Sequence, residues 1–148
     1  MARAGLTRFR AKRGRIVGGE LDVAPDAVIG EGTRFHVHGG VVRVDAGAVR
    51  GERCVILCHE RIEIGAGAVL GDDVVLVDFA HDHADPEVPT RHQPLLTAAV
   101  VVGAGARIGH RAVVERGAVI PPGGVVPDQT VWADTRSDRP APRPRLDS

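Results

Sequence analysis

The stretch of this chain richest in chemically able side chains is Asp78-Phe79-Ala80-His81, followed closely by Asp82, His83 and Asp85. Imidazole titrates closest to neutral pH among the side chains, and a neighbouring carboxylate can orient it. His81 with Asp78 or Asp85 therefore has the parts of a general base for a hydroxyl or an amine. Such a base works only if something rigid holds it at the edge of a cleft, so the elements around it matter as much as the residues.

Those elements are announced by a spacing of six. Val23, Ile29 and Phe35 fall on the beat, then Val44, Ile56 and Ile62 with Arg50 filling the place between. Ile64, Leu70 and Leu76 follow, and after a gap Val102, Ile108, Val114, Ile120 and Val126. Small residues recur four places after a beat, at Ala27, Thr33, Ala48, Cys54, Ala68, Ala106, Ala112 and Ala118. Neither a helix nor a simple strand has this period. A chain wound into a three-sided prism has it, each hexad giving one short strand and one turn. The fold class is all-β, a parallel β-helix of about four to five coils. The register slips at His38-Gly39-Gly40 and between Ile62 and Ile64, where wider corners are expected. It stops after Leu76, which puts His81 at a prism corner, outside the aliphatic column.

The boundaries follow from that count. Residues 21–132 form the repeat, with an excursion loop at about 82–101 that holds three Pro between Asp82 and Val101. A loop of this length in a compact repeat is usually functional; here it is expected to be an ordered arm packing on a neighbour. Residues 1–20 form a basic tail or a cap over the open end, which would otherwise expose strand edges. Residues 133–148 are rich in Pro, Arg and Asp and are expected to be disordered or loosely extended.

Composition fits a narrow core. The chain has three Phe, one Trp and no Tyr, while its 19 Gly sit largely at corners. Net charge is zero, which gives nucleic acid no handle. No apolar run reaches membrane-spanning length and the N-terminus lacks a signal-peptide core, so a cytoplasmic location is expected. Cys54 is expected inside and Cys58 outside, too far apart in direction for a disulfide.

The repeat together with Asp78, Phe79, His81, Asp85, Pro86, Pro89 and Gln93 resembles the hexapeptide-repeat, left-handed β-helix acyltransferase superfamily. Within it, the sugar O-acetyltransferase branch of maltose and galactoside acetyltransferase relatives is most similar. The resemblance covers roughly residues 21–126. It implies left-handed winding, a homotrimer, and acetyl-CoA as co-substrate in a groove between prisms. It implies a small-molecule sugar or nucleotide-sugar acceptor near the arm and His81 as the base for direct attack on the thioester. Asp78 and Asp85 would be its helpers, and His83 and Gln93 acceptor contacts. A backbone N–H around Gly103 and Ala104 would serve the oxyanion, with Arg107 and Arg111 as phosphate contacts. No resident metal is expected. This chain departs from the branch in having His83 where an aromatic is common, Arg107 where Trp is common, and about one hexad fewer at its end.

Two rival readings exist. Ile108-Gly109-His110-Arg111-Ala112-Val113 is similar to part of the motif of γ-type carbonic anhydrases, which share the fold. His92, His110 and Glu115 would then offer nitrogen and oxygen ligands to zinc. A non-catalytic β-helix scaffold is the other, with the shortened C-terminal coil in its favour.

Overall fold

The computed structural model describes residues 15–16, 18–49, 51–81, 95–133 and 143–144. Every regular element among them is a strand, and they wind into a left-handed parallel β-helix of about five turns. Wall A stacks β1 (Arg15–Ile16), β3 (Arg34–Val37), β5 (Val55–Cys58), β8 (Val75–Val77), β13 (Val113–Val114) and β16 (Thr130–Trp132). Wall B stacks β2 (Glu20–Val23), β4 (Val41–Val44), β6 (Arg61–Ile64), β11 (Val100–Val102) and β14 (Val119–Ile120). Wall C stacks β7 (Val69–Leu70), β12 (Arg107–Ile108) and β15 (Val125–Val126). Neighbours within each wall are parallel. No helix among the described residues is long and apolar enough to cross a membrane.

The beat residues do form the column. Phe35 pairs with Ile56, Ile56 with Leu76 and Leu76 with Val114, and all four are buried. Val44, Ile64, Val102 and Ile120 do the same in wall B. The small residues Thr33, Ala48, Cys54, Ala68, Ala106, Ala112 and Ala118 are buried between them. A four-residue strand has two inward places, because side chains alternate across it. Ile62 and Ile64 are that pair in β6, so the apparent slip of two is ordinary strand alternation. The same rule corrects the expectation for Cys58. It occupies the second inward place of β5, is fully buried and, like Cys54, is a free thiol. Val49 is buried, with a left-handed φ of 62° that turns it into the core, while Arg50, expected on the beat, lies outside the described residues.

The remaining slip is real. Val42 lies 21 residues after its partner Leu21, Ile62 lies 20 after Val42, and Ile120 lies 18 after Val102. The upper coils are longer because His38-Gly39-Gly40 and His59-Glu60 widen the corner between walls A and B. In the same upper coils Phe35 is the bulkiest fully buried side chain. At the opposite end Trp132 pairs with Val114 and closes the column. Both ends of wall A are covered. β1 pairs parallel with β3, and β17 (Arg143–Pro144) pairs antiparallel with β16. The tail expected to be loose thus supplies the last strand of the wall at Arg143–Pro144. The rest of 133–148 beyond Ala133, and residues 1–14, lie outside the described residues.

Corner glycines have a steric cause. A Cβ on Gly51 would lie 1.9 Å from the Gly71 carbonyl oxygen, and one on Gly30 would lie 2.0 Å from that of Gly51. The outer faces of the walls differ. On wall A, Val55, Val75, Val113 and Val131 form one outward row, with Leu57 and Val77 beside it. On wall B the corresponding row is Asp22, Arg43, Glu63, Val101 and Val119, charged at one end and apolar at the other, with Arg43 Nε 3.8 Å from Asp22 Oδ2.

Candidate functional site

The arm leaves the prism at the widened corner. β9 (Phe79–His81) lifts away from wall A, and β10 (Leu95–Thr97) returns antiparallel to it, pairing Leu95 with His81 and Thr97 with Phe79. The excursion therefore begins three residues earlier than its composition indicates, and the coil resumes at Val100, opposite Ile62. The resulting two-stranded ribbon gives His81 a fixed backbone position at the foot of the arm. Its exposed Leu95 and Leu96 leave an apolar edge on the returning strand.

Asp78 is the anchor of that foot. It is fully buried, and its carboxylate accepts the N–H of His59 (2.8 Å), Glu60 (2.8 Å) and Arg61 (2.7 Å). These are the three amides of the wider corner in the coil before, which no strand ladder satisfies. Buried backbone donors need partners, and the extra residues at the corner therefore call for an acceptor one coil on. The Asp78 backbone holds both ends of the ribbon. Its N–H donates to Leu57 O at 3.3 Å, and its carbonyl accepts from Ala98 at 3.0 Å. The carboxylate is committed to this task, which differs from orienting an imidazole directly.

Above the foot, the corner carries a column of rings. His38 stacks on His59 with centroids 5.1 Å apart, and His59 meets Phe79 edge-on at 4.2 Å. Thr97 Oγ1 donates to Glu60 Oε1 at 2.6 Å, a second tie between the ribbon and the corner. Below the foot lies a cleft of about 250 Å³ lined by Val77, Phe79, Ala80, Glu115 and Arg116. The Glu115–Gly117 turn is held to the arm, since Gly117 N–H donates to Ala98 O at 3.1 Å.

The Cys58 thiol packs beside Asp78. Burial, and then the Asp78 charge, push its pKa up to about 12. Burial also raises Cys54. Neither thiol has the depressed pKa of a nucleophile, in keeping with chemistry that uses none.

The other expected site residues lie elsewhere. Gly103 and Ala104 form the turn between walls B and C, a different corner from His81. Gly103 N–H donates to Ile120 O at 2.8 Å, and Gly105 N–H to Ala66 O at 2.9 Å. Arg107 lies on the outer face of wall C and lines a groove of about 460 Å³ with Gly71, His110, Val125 and Asp128. Arg111, at the corner between walls C and A, turns along that corner. With the Gln129 amide oxygen facing it, the Arg111 Nε and Nη2 lie 3.2 and 3.0 Å from that oxygen. One prism therefore does not bring His81 together with Gly103, Ala104, Arg107 or Arg111. His83, Asp85, His92 and Gln93 lie outside the described residues.

His110 belongs to a ladder that the spacing of six does not reveal. Glu52 N–H donates to Asp72 Oδ1, Asp72 N–H to His110 Nδ1, and His110 N–H to Asp128 Oδ1, each at 2.9 Å. Each corner is thus tied by a side chain of the next coil. Nδ1 accepts, so the proton of the neutral ring is assigned to Nε2. A zinc-bound histidine usually donates from its second nitrogen, which this one does not. Glu115 lies at the other end of β13, so one chain does not assemble His110 and Glu115 around an ion. Among the described residues no group of three metal-ligating side chains forms.

Glu115 and Arg116 are the residues the sequence reading undervalued. Their position in the Glu-x-Gly turn one coil beyond the arm is readable from the hexad count, which would have placed them at the corner shared with His81.

Solved structures of one N-acyltransferase are similar to this chain. One is a mutant of AntD, an N-acyltransferase from Bacillus cereus, in complex with dTDP-4-amino-4,6-dideoxyglucose and coenzyme A. The superposition covers 96% of this chain and 89% of that one at 14% identity and a TM-score of 0.51. At this identity the likeness is one of fold. A second AntD mutant with the same ligands superposes at 12% identity over 98% and 91% of the chains, with a TM-score of 0.45. No protein-family model matches the chain, and no curated protein matches it.

Proposed function

We propose that this chain is an acyl-CoA-dependent acyltransferase, cytoplasmic and homotrimeric, that moves an acyl group onto a hydroxyl or amine of a sugar or nucleotide sugar. Acetyl is the simplest donor group. The observation that carries this reading is the foot of the arm, where a strand ending in His81 lifts off a rigid wall beside a cleft bordered by Glu115 and Arg116. A ligand pocket on so stiff a frame keeps its geometry through a reaction.

In the proposed reaction the acceptor and acyl-CoA bind together. His81 takes the proton from the acceptor as its oxygen or nitrogen attacks the thioester carbonyl carbon. The new C–O or C–N bond forms, the C–S bond breaks, and CoA leaves as the thiol with the proton returned by His81. Asp78 acts by fixing the strand that carries the base. Asp85, His83 and Gln93 sit in the arm as further contacts. The Ala104 amide, between two amides already engaged, is assigned to the carbonyl oxygen of the donor. Arg107 and Arg111 are assigned to its phosphates.

These groups sit on different corners, so the reading requires a neighbouring copy. The outer row of wall A supports one, because after Arg34 it runs through four successive valines, Val55, Val75, Val113 and Val131. A homotrimer sharing that face brings the arm corner of one copy against another copy's wall. AntD bound to CoA and a dTDP-sugar supports the choice of ligands.

The test is a screen of the purified chain with acetyl-CoA and a panel of sugars and nucleotide sugars, reading free CoA thiol and product mass, alongside its mass in solution. Release of CoA only when an acceptor is present, from a trimer, is the expected result. A monomer with no acceptor-dependent release would overturn the reading.

A further inference from the structure

The two corners that flank wall C turn alike but are built differently. At the corner with wall B, Ala66 and Ala104 hold one place of the turn and Gly67 and Gly105 the next, with φ of 71° and 70°. At the corner with wall A the same two places hold Asp72-Asp73 and His110-Arg111. Asp73 and Arg111 keep the left-handed φ, 60° and 59°, without being glycine. Backbone strain of this kind persists where side chains have a task. One task is the ladder in which Asp72, His110 and Asp128 each cap the turn amide of the coil before. Two of these caps are carboxylates. The third is an imidazole, which accepts through Nδ1 only while it is neutral.

We infer that His110 is a proton-operated switch for anion binding in the groove on wall C. With the ring neutral, the Asp72 N–H is committed to Nδ1 at 2.9 Å. The groove lining then sets one guanidinium, Arg107, against the carboxylates of Asp72 and Asp128, a balance that repels an anion. A proton taken from solvent onto Nδ1 makes it a donor facing a donor, so this rung parts. The new N–H turns to Asp72 Oδ2, which lies 4.0 Å from Nδ1. The two side chains are 58% and 44% exposed, so the ring has room to turn. The Asp72 N–H is released at the rim, beside an imidazolium and Arg107. Together these are donors for a phosphate oxygen, two of them charged.

The remaining charges at this corner are matched or favour the proton. Arg53 forms two bonds to Asp73, and Glu52 lies 3.4 Å from the same guanidinium. Arg111 meets the Gln129 amide oxygen. Asp73 is held below the ordinary carboxylate range by its hydrogen bond from Arg53, with the Arg53, Arg111 and His110 charges adding to it, so it stays ionised. The inference rests on the acyltransferase reading only for the name of its anion, coenzyme A.

His110→Asn is the test variant, because its side-chain oxygen takes the place of Nδ1 as an acceptor and does not titrate. Calorimetry of the full chain in buffers of different ionisation enthalpy measures CoA affinity and proton uptake together. Relative to His110→Asn, the unaltered chain should bind CoA about three- to tenfold more tightly on going from about pH 8 to about pH 6, and take up as much as about one extra proton, since proton and anion must favour each other equally. Amide exchange supplies a readout without ligand. Protection of the Asp72 N–H should fall over that range in the unaltered chain and hold in His110→Asn. Pyrophosphate is the second anion probe. If it binds with the extra proton uptake while CoA does not bind, the acyltransferase reading fails and this inference stands. CoA binding with the same pH dependence in both proteins overturns this inference and leaves that reading intact. An Asp72 amide equally protected at both pH values, or no binding of either anion, also overturns it.

Discussion

Replacing Asp78 by Asn is the sharpest probe of how the arm is held. The side chain keeps its shape but offers one carbonyl oxygen where the carboxylate offers two. That oxygen can serve Glu60 and Arg61, which the native Oδ2 serves at 2.8 and 2.7 Å, and the new NH2 then faces the N–H of His59. One charge-assisted bond is lost outright and two become neutral. Hydrogen bonds to charged groups contribute about 1.5–3 kcal/mol and neutral ones about 0.5–1.5, so one bond lost and two weakened amount to about 5 kcal/mol. Water cannot compensate, because the position is fully buried. For a chain of this size that is a fall in Tm of about 10–20 °C. Thermal unfolding followed by circular dichroism and by fluorescence of the single Trp132 measures it. Turnover should fall as well, since the strand bearing His81 loses its anchor, while the pH profile keeps its shape. A Tm shift below about 2 °C would refute the anchoring argument. An altered pH profile at unchanged Tm would return Asp78 to a direct part in proton transfer.

Gly51→Ala should prevent folding or cost well over about 3 kcal/mol, because its Cβ would sit 1.9 Å from a backbone oxygen of the next coil. Gly67→Ala, with φ of 71° and nothing within 4 Å, should cost only about 1–2 kcal/mol; denaturation midpoints compare the two. Cys58 should resist alkylation in the native state at pH 8–9 and react on unfolding. Its folded pKa lies above the unfolded value of 9.0, so the matching stability is present below pH 9 and drains away between pH 9 and about 12. Alkaline denaturation of Cys58→Ala should lack that component.

How much of this was legible depended on the distance over which each constraint acts. The beat at Ile56, Leu76 and Val114 was readable because one repeated period expresses one repeated cross-section. Cys58 was misjudged because a count of six marks one inward place per hexad, whereas β5 has two. Val49 enters the core by a backbone twist that no pattern of side chains announces. That His81 stands where the arm leaves the prism was visible in the break of the repeat after Leu76. The task of Asp78 was not, since its partners lie 17 to 19 residues away and are needed only because His59-Glu60 lengthens the corner. The Asp72–His110–Asp128 ladder was missed for the same reason, being a relation between coils and not within one.

The central claim is that the imidazole at the foot of the arm removes a proton from an acyl acceptor. The most direct measurement is the kcat of His81→Ala for acceptor-dependent CoA release, on protein whose Tm and oligomeric state match those of the unaltered chain. A loss of about 10²- to 10⁴-fold is predicted, the usual worth of a general base. Undiminished turnover in that correctly folded variant would contradict the account.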